Sequence, residues 1–150
     1  QHVVVWGGDR TIVESVAPNG SANVTLADGP VATVPDGPTV PAPLGRVAGA
    51  RSGDKGGDAN LGVFVRDDAA WAWLDAYLTV DRLRQLLPEA ADLEVERHRL
   101  PALRSLNFVI RGLLGEGVAA STRQDGQAKS LGEWLRARTV DVPASLLETP

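Results

Sequence analysis

The first part of the chain alternates short β-branched runs with clusters of turn residues. β-Branched residues pack well on a pleated surface, whereas Gly, Pro and Asn favour turns. We therefore expect residues 1–28 to form a small three-stranded β meander, which is too small to be stable without packing on something else. Five prolines between residues 29 and 43 then predict an extended connector, because proline fixes φ and removes a backbone donor. The predicted strands are Val3–Trp6, Thr11–Val16 and Ala22–Ala27.

The main domain is expected over residues 44–143. It opens with two runs, Arg46–Arg51 and Asn60–Arg66, that have the apolar character of strands. Between them, Ser52–Ala59 is rich in glycine and charge, and we interpret it as a loop. Residues 144–150 form a tail, since no strong period runs through the end of the chain.

Two helices are predicted after these strands, because apolar residues recur at helical spacing behind capping residues. Asp67 or Asp68 can cap the first helix, Thr79 can cap the second, and Pro88 ends it. The apolar faces carry Trp71, Leu74 and Leu78 in the first helix and Leu83, Leu86 and Leu87 in the second.

The rest of the domain is predicted as strand, helix, strand and helix. Leu93–Leu100 alternates apolar and charged residues, which is the period of a half-buried strand. A helix is then expected to end in a break at residues 115–117, Val118–Arg123 suits a strand, and Asp125 or Gly126 begins the last helix. The helical spacing is carried by Leu103, Leu106, Ile110, Leu113 and Leu114, and in the last helix by Leu131, Trp134 and Leu135.

This order of elements predicts an α+β fold, a sandwich in which helices cover one face of a sheet of about four strands. Trp71 and Trp134 are expected in the core. His98 lies on a predicted strand without a second His or Cys at ligand spacing, so it is expected to be a surface or half-buried residue.

Composition narrows the classes of function. The 150 residues suit one domain, and they include no Cys, no Met and two His. A disulfide framework, a thiolate nucleophile and a Cys-type or His-rich metal site are therefore excluded, and no cofactor is expected. The net charge of −4 argues against a general nucleic-acid binder, and no apolar run is long enough to span a bilayer. The missing Met predicts that the chain is a piece of a longer protein, whose other part lies upstream.

The glycine-rich stretch is the most unusual feature of the sequence. Its glycines can expose backbone N–H groups, and its cations, Arg51 and Lys55, can bind a phosphate or carboxylate. Asp54 and Asp58 can pair with those cations, bind a divalent ion or act as acid and base. The alternative is a tight, charged hairpin loop with no ligand. The candidate residues here are Arg51, Ser52, Gly53, Asp54, Lys55, Gly56, Gly57, Asp58 and Asn60.

A second charged cluster precedes the last predicted helix. Arg123 and Lys129 can bind an anion there, because the free N–H groups of a first helical turn attract negative charge. In the simpler interpretation Asp125 caps the helix and the two cations are solvated surface residues.

Two further features, the run from Gly115 to Ala120 and Asn107, each allow more than one interpretation. The run from Gly115 to Ala120 matches G-x-G-x-x-A, but a predicted helix precedes it and no long helix follows, so a helix end leading into a closely packed strand fits better than a dinucleotide site. Asn107 lies among apolar residues, and a buried amide must be hydrogen-bonded; it either holds a loop or faces a ligand.

Several of these segments together resemble one family, the C-terminal ferredoxin-fold domain of acyclic terpene utilization (AtuA-like) proteins. The similarity covers residues 44–143. It is carried by the run from Ala50 to Phe64, Leu78-Thr79, Leu100-Pro101, Leu106-Asn107-Phe108-Val109, Leu114-Gly115 and the run from Ser121 to Lys129.

The resemblance implies a ferredoxin-like fold in a cytoplasmic, catabolic protein, where this domain helps an upstream domain to hold an anionic or acyl-CoA-type ligand. Asp54, Lys55 and Asp58 would be its acid, base or charge-neutralising groups, and Asn107, Arg123, Asp125 and Lys129 would form the second wall of the site. The alternative is a non-catalytic module for docking and oligomerisation. The expected partners are the upstream domain, the ligand and further copies of the chain.

Overall fold

The computed structural model describes the backbone of residues 2–6 and 9–13 and the whole of residues 33–148. The first two strands, β1 (His2–Trp6) and β2 (Asp9–Val13), form an antiparallel hairpin in which His2 lies opposite Val13. They agree with the first two strands of the predicted meander. The third predicted strand, Ala22–Ala27, lies outside the described residues.

The end of the predicted connector is a strand. β3 (Thr39–Pro43) pairs antiparallel with β8 (Thr139–Pro143), and a short helix, α4 (Ala144–Leu147), follows directly. The prolines are tolerated because both strands are edges of a two-stranded sheet, where a missing N–H can face solvent. Sequence reasoning found no period here because the runs are short and contain proline.

The main sheet has four antiparallel strands in the order β4-β5-β7-β6. Two hairpins, β4 with β5 and β6 with β7, are joined where β5 pairs with β7. This confirms the predicted α+β fold and its sheet of about four strands. The strands are β4 (Gly49–Lys55), β5 (Asp58–Phe64), β6 (Val95–Leu100) and β7 (Ser105–Ile110).

The helices α1 (Asp68–Tyr77) and α2 (Val80–Leu86) connect the two hairpins, and both predicted caps are confirmed. The Asp67 carboxylate accepts a hydrogen bond from the Ala70 N–H at 2.8 Å, and the Thr79 hydroxyl accepts one from the Arg82 N–H at 3.2 Å. Such caps satisfy N–H groups that have no partner inside the helix.

One face of the sheet holds the core. Every second residue of β5 and β7 is buried against α1, α2 and the last long helix, α3 (Leu131–Ala137). On these two strands the buried set is Ala59, Leu61, Val63, Leu106, Phe108 and Ile110. Trp71 is buried as expected, but Trp134 is 37% exposed, so its predicted place in the core is wrong.

The helix predicted over residues 103–114 is wrong, because residues 105–110 form β7. A period of two and a period of 3.6 both pass through Leu106 and Ile110, and the helical interpretation needed Leu103, which is 68% exposed. The period of two instead buries Phe108. β-Branched and aromatic residues favour the strand, as the structure shows.

The two following predictions also fail. Residues 118–123 form a turn followed by irregular backbone, and the last long helix begins at Leu131 instead of at Asp125 or Gly126. Asp125 still has a capping role, since its carboxylate accepts the N–H groups of Lys129 and Ser130 at 2.8 and 2.9 Å. These bonds hold a turn in front of the helix, which is why a helix-start pattern appears six residues early.

We predict that Phe108→Ala lowers the free energy of unfolding by about 3–5 kcal/mol, because it empties a fully buried site between sheet and helices. The control Leu103→Ala should change it by less than about 0.5 kcal/mol, since that side chain is exposed. Urea denaturation of both variants measures the difference. Equal losses would contradict the strand register, and a larger loss for Leu103→Ala would favour the helix.

Candidate functional site

The glycine-rich stretch is a tight hairpin. Lys55 lies opposite Asp58, so Gly56 and Gly57 alone connect β4 to β5, and the predicted eight-residue loop is wrong. Gly56 has φ +66° and Gly57 has no positive φ, which is the φ pattern of a type II′ turn. Such turns match the twist of the flanking strands. Sequence reasoning missed the strand ends because glycine and charge here resemble a loop.

A second turn packs against this hairpin. The Leu114 N–H donates to the Gly57 carbonyl at 2.9 Å, and a Cβ at residue 57 would overlap the Gly115 carbonyl. Gly115 has φ +60° and Gly117 has φ +99°. These glycines therefore allow two backbone turns to touch. The predicted helix end and following strand at this G-x-G-x-x-A run are wrong, since the run follows β7 and contains neither a helix nor a strand. Its close contact is with the Gly56-Gly57 turn.

Asp58 is held by the same region. Its carboxylate accepts the Gly112 N–H at 2.8 Å and pairs with the Arg111 guanidinium at 2.5 Å, and Arg111 also pairs with Glu96 at 2.6 Å. The backbone bond from Gly112 and the bond from Arg111 lower the pKa of Asp58 below its ordinary value. Asp58 is thus an ionised anchor that joins β5 to the end of β7.

Strand register divides the other candidates between two faces of the sheet. Residues that alternate along a strand point to opposite faces. Ser52 and Asp54 lie on the core face, because they are paired with Leu61 and Ala59. We call the other face the open face; the candidate residues on it are Arg51, Gly53, Lys55, Asp58, Asn60 and Asn107.

The two charged segments predicted to form one site do meet, but through Ser52. Its hydroxyl accepts the Gly132 N–H at 2.9 Å and donates to the Lys129 carbonyl at 3.3 Å. The Asp125 carboxylate stabilises the turn that leads to Lys129 and Ser130, as described above. Arg123 and Lys129 are exposed, and the Lys129 backbone contacts Ser52, which faces the opposite side of the sheet from Arg51 and Lys55.

Asn107 faces neither the core nor a loop. It lies on the open face opposite Gly62 and His98, and it is partly exposed. His98 is exposed on β6, as expected, with its Nε2 3.3 Å from a Glu96 oxygen. An amide and an imidazole therefore lie side by side on the solvent-facing side of the sheet.

A groove of about 640 Å³ opens at the opposite end of the sheet from the glycine hairpin. It lies where β4 begins and β5 ends, and three arginines, Arg46, Arg66 and Arg136, line it. Its other walls come from residues 45–50, the Phe64 ring, the start of α1 and Leu146. Phe64 reaches across because it lies over Gly49, where a Cβ would overlap the ring.

The groove has an excess of positive charge. Arg46 and Arg66 make no ion pair or side-chain hydrogen bond among residues 33–148. Arg136 pairs with Glu133 at 2.9 Å, while its Nε is buried without an acceptor. The one acidic residue of the lining, Asp67, already caps α1. Sequence reasoning missed this site because its arginines come from three distant segments and form no motif.

Residues 42–141 match the family model of the AtuA ferredoxin-like domain. The chain belongs to this family. The match covers nearly the same residues as the predicted resemblance and confirms it. No curated protein and no solved structure matches the chain.

Two further observations describe this AtuA ferredoxin-like domain. Within the described residues, no group of three or more His, Cys, Asp or Glu side chains is placed to hold a metal ion. No helix there has the length and apolar character needed to cross a membrane.

We predict that Asp58 makes the AtuA ferredoxin-like domain sensitive to acid. Because the pKa of Asp58 is lowered on folding, its stabilisation is complete above the ordinary value of 3.8 and is lost as the pH falls through the lowered pKa. Asp58→Asn should therefore be less stable than the wild type at pH 7, and this difference should shrink below about pH 4. Urea denaturation across pH 2–7 tests this. A difference that stays constant over that range would contradict it.

Proposed function

We propose that this chain is the anion-binding domain of an AtuA-type protein and that it holds a small ligand in the arginine groove. The observation that carries this proposal is the convergence of Arg46, Arg66 and Arg136 on one concave site. Small molecules bind mainly in clefts of about 300–1,000 Å³, and the groove has this size.

The charged part of the groove suits a carboxylate or phosphate. A guanidinium presents a planar set of donors that matches either group with two parallel hydrogen bonds. Arg46 and Arg66 are exposed and have no side-chain partner among the described residues, so their guanidinium groups are available to an anion. The side-chain carboxylate of Asp67 faces the cap of α1 and competes little.

The apolar part of the groove suits a hydrocarbon group attached to that anion. Val47, Ala48, Phe64 and Leu146 contribute to its lining beside the arginines. A molecule with a charged end and an apolar body would therefore use both parts. Acyl-CoA thioesters and free branched acids have this character, as expected for an AtuA-type protein of cytoplasmic terpenoid catabolism.

The glycine hairpin supports ligand binding less well. Its turn glycines pack against the turn that contains Gly115, and the Asp58 carboxylate accepts hydrogen bonds from Arg111 and Gly112. Of the predicted catalytic residues, Asp54 and Lys55 remain exposed and point to opposite faces. We therefore assign the ligand to the groove, with chemistry left to an upstream domain.

We expect the full chain to bind octanoyl-CoA, and we expect Arg66→Ala to weaken binding by about tenfold or more, because hydrogen bonds to charged groups contribute about 1.5–3 kcal/mol. Isothermal titration calorimetry with octanoyl-CoA, coenzyme A and octanoate measures this. Comparing the three ligands shows whether the anion, the hydrocarbon or both are recognised.

Lys55→Ala and Arg123→Ala are matched controls, since each removes one exposed cation outside the groove. Both should leave the affinity unchanged. A loss of binding in Lys55→Ala with none in Arg66→Ala would place the ligand at the hairpin instead. No heat with any of the three ligands would remove the proposal.

A further inference from the structure

The open face of the sheet is not covered by the helices. No residue on it is buried, in contrast to the core face directly behind it. Its surface consists mainly of polar, charged and glycine positions on four paired strands. By register it consists of Gly49, Arg51, Gly53, Lys55, Asp58, Asn60, Gly62, Phe64, Glu94, Glu96, His98, Leu100, Ser105, Asn107, Val109 and Arg111.

Two glycines on this face contact no side chain of the described part of the chain. Gly53 and Gly62 lie inside strands without a positive φ; a Cβ at Gly53 would meet no atom within 4 Å, and one at Gly62 only the Arg51 carbonyl at 3.8 Å. Glycine inside a strand is destabilising relative to alanine, because it loses more backbone conformational freedom on folding. It often marks a place where another backbone or a ligand approaches closely. These two positions therefore point to something that packs on the open face.

The charges of the open face are sorted by edge. Arg51 and Lys55 lie on the outer strand β4, whereas Glu94 and Glu96 lie on or beside the opposite outer strand, β6. Between the two edges, Arg111 pairs with both Asp58 and Glu96. Glu94 belongs to this row because its carbonyl accepts the Arg111 N–H at 2.9 Å, next to the Val95 pair.

We infer that the open face binds the open face of a second copy of this chain. A two-fold axis parallel to the strands would lay β4 of one copy over β6 of the other. Lys55 would then meet Glu94 of the second copy, Arg51 would lie over His98 with Glu96 in the neighbouring row, and each contact would occur twice. A face with a positive and a negative edge is complementary to itself under this symmetry.

The size of the face sets the expected strength of the dimer. Four strands about 4.8 Å apart and six residues of about 3.3 Å each give a surface of about 19 by 20 Å. This outline of about 380 Å² is about half of the roughly 800 Å² that a standard specific interface buries on each partner. We therefore expect a weak, transient dimer with a dissociation constant on the order of 100 μM. Gly53 and Gly62 would let the two sheets approach closely.

Charge exchange tests the pairing. Lys55→Glu and Glu94→Lys should each be monomeric, because every homodimer would place like charges together twice. An equimolar mixture of the two variants should form a heterodimer, since both contacts then join opposite charges. Sedimentation velocity from 1 to about 500 μM on the full chain measures this, with the wild type as the reference. A mixture that stays monomeric while the wild type dimerises would overturn the assigned pairing.

Gly62→Val tests the close approach independently of charge. Valine is favoured in strands and has open space here, so the variant should unfold at the same or a higher temperature yet dimerise at least tenfold more weakly. Thr139→Val, an exposed strand position in the two-stranded sheet, is the control and should dimerise like the wild type. An unchanged dimer in Gly62→Val, or a wild type monomeric up to 500 μM, would overturn the proposal.

Discussion

The structure depends on the period of two in β5 and β7, the central strands of the sheet. Leu61 and Phe108 lie opposite each other on the core face, while Gly62 and Asn107 form the next pair on the open face. Burying one side of both strands forces α1, α2 and α3 onto that side, since burial of apolar area drives folding. The other side of the sheet is exposed to solvent and carries polar and charged residues. Each candidate surface of the domain follows from this division.

The predictable part of the fold was local. Asp67 and Thr79 identify two helix starts because a cap needs only a side chain and the N–H three residues later. The prediction failed at β7, where two periods share Leu106 and Ile110 and only pairing with β5 and β6 decides between them. A similar limit applies to Asp125, whose bonds stabilise a turn that sequence alone cannot distinguish from a helical one.

The candidate site shows the same limit more strongly. Arg51, Lys55 and Asn60 can be predicted as candidate ligand-binding residues because they are close together in sequence. Their spacing does not show that Ser52 and Asp54, between them, lie on the opposite face of the sheet. Arg46, Arg66 and Arg136 could not be predicted together, because the segments before β4 and after β5 and the helix α3 bring them together only after folding. A glycine-rich segment can bind a ligand, form a tight turn or allow close packing. At Gly57 the structure shows close packing, because a Cβ there would overlap the Gly115 carbonyl of a second turn.

The pairing of β3 with β8 has a consequence for how the domain is connected. Thr39 lies opposite Pro143, and the Ala144 N–H donates to the Pro38 carbonyl at 3.0 Å, so the chain enters and leaves the domain at adjacent points. Domains with adjacent ends tolerate insertion into another chain and circular permutation. We therefore expect that residues 38 and 144 can be joined by a short linker and new termini opened in a surface loop without rearranging the central sheet.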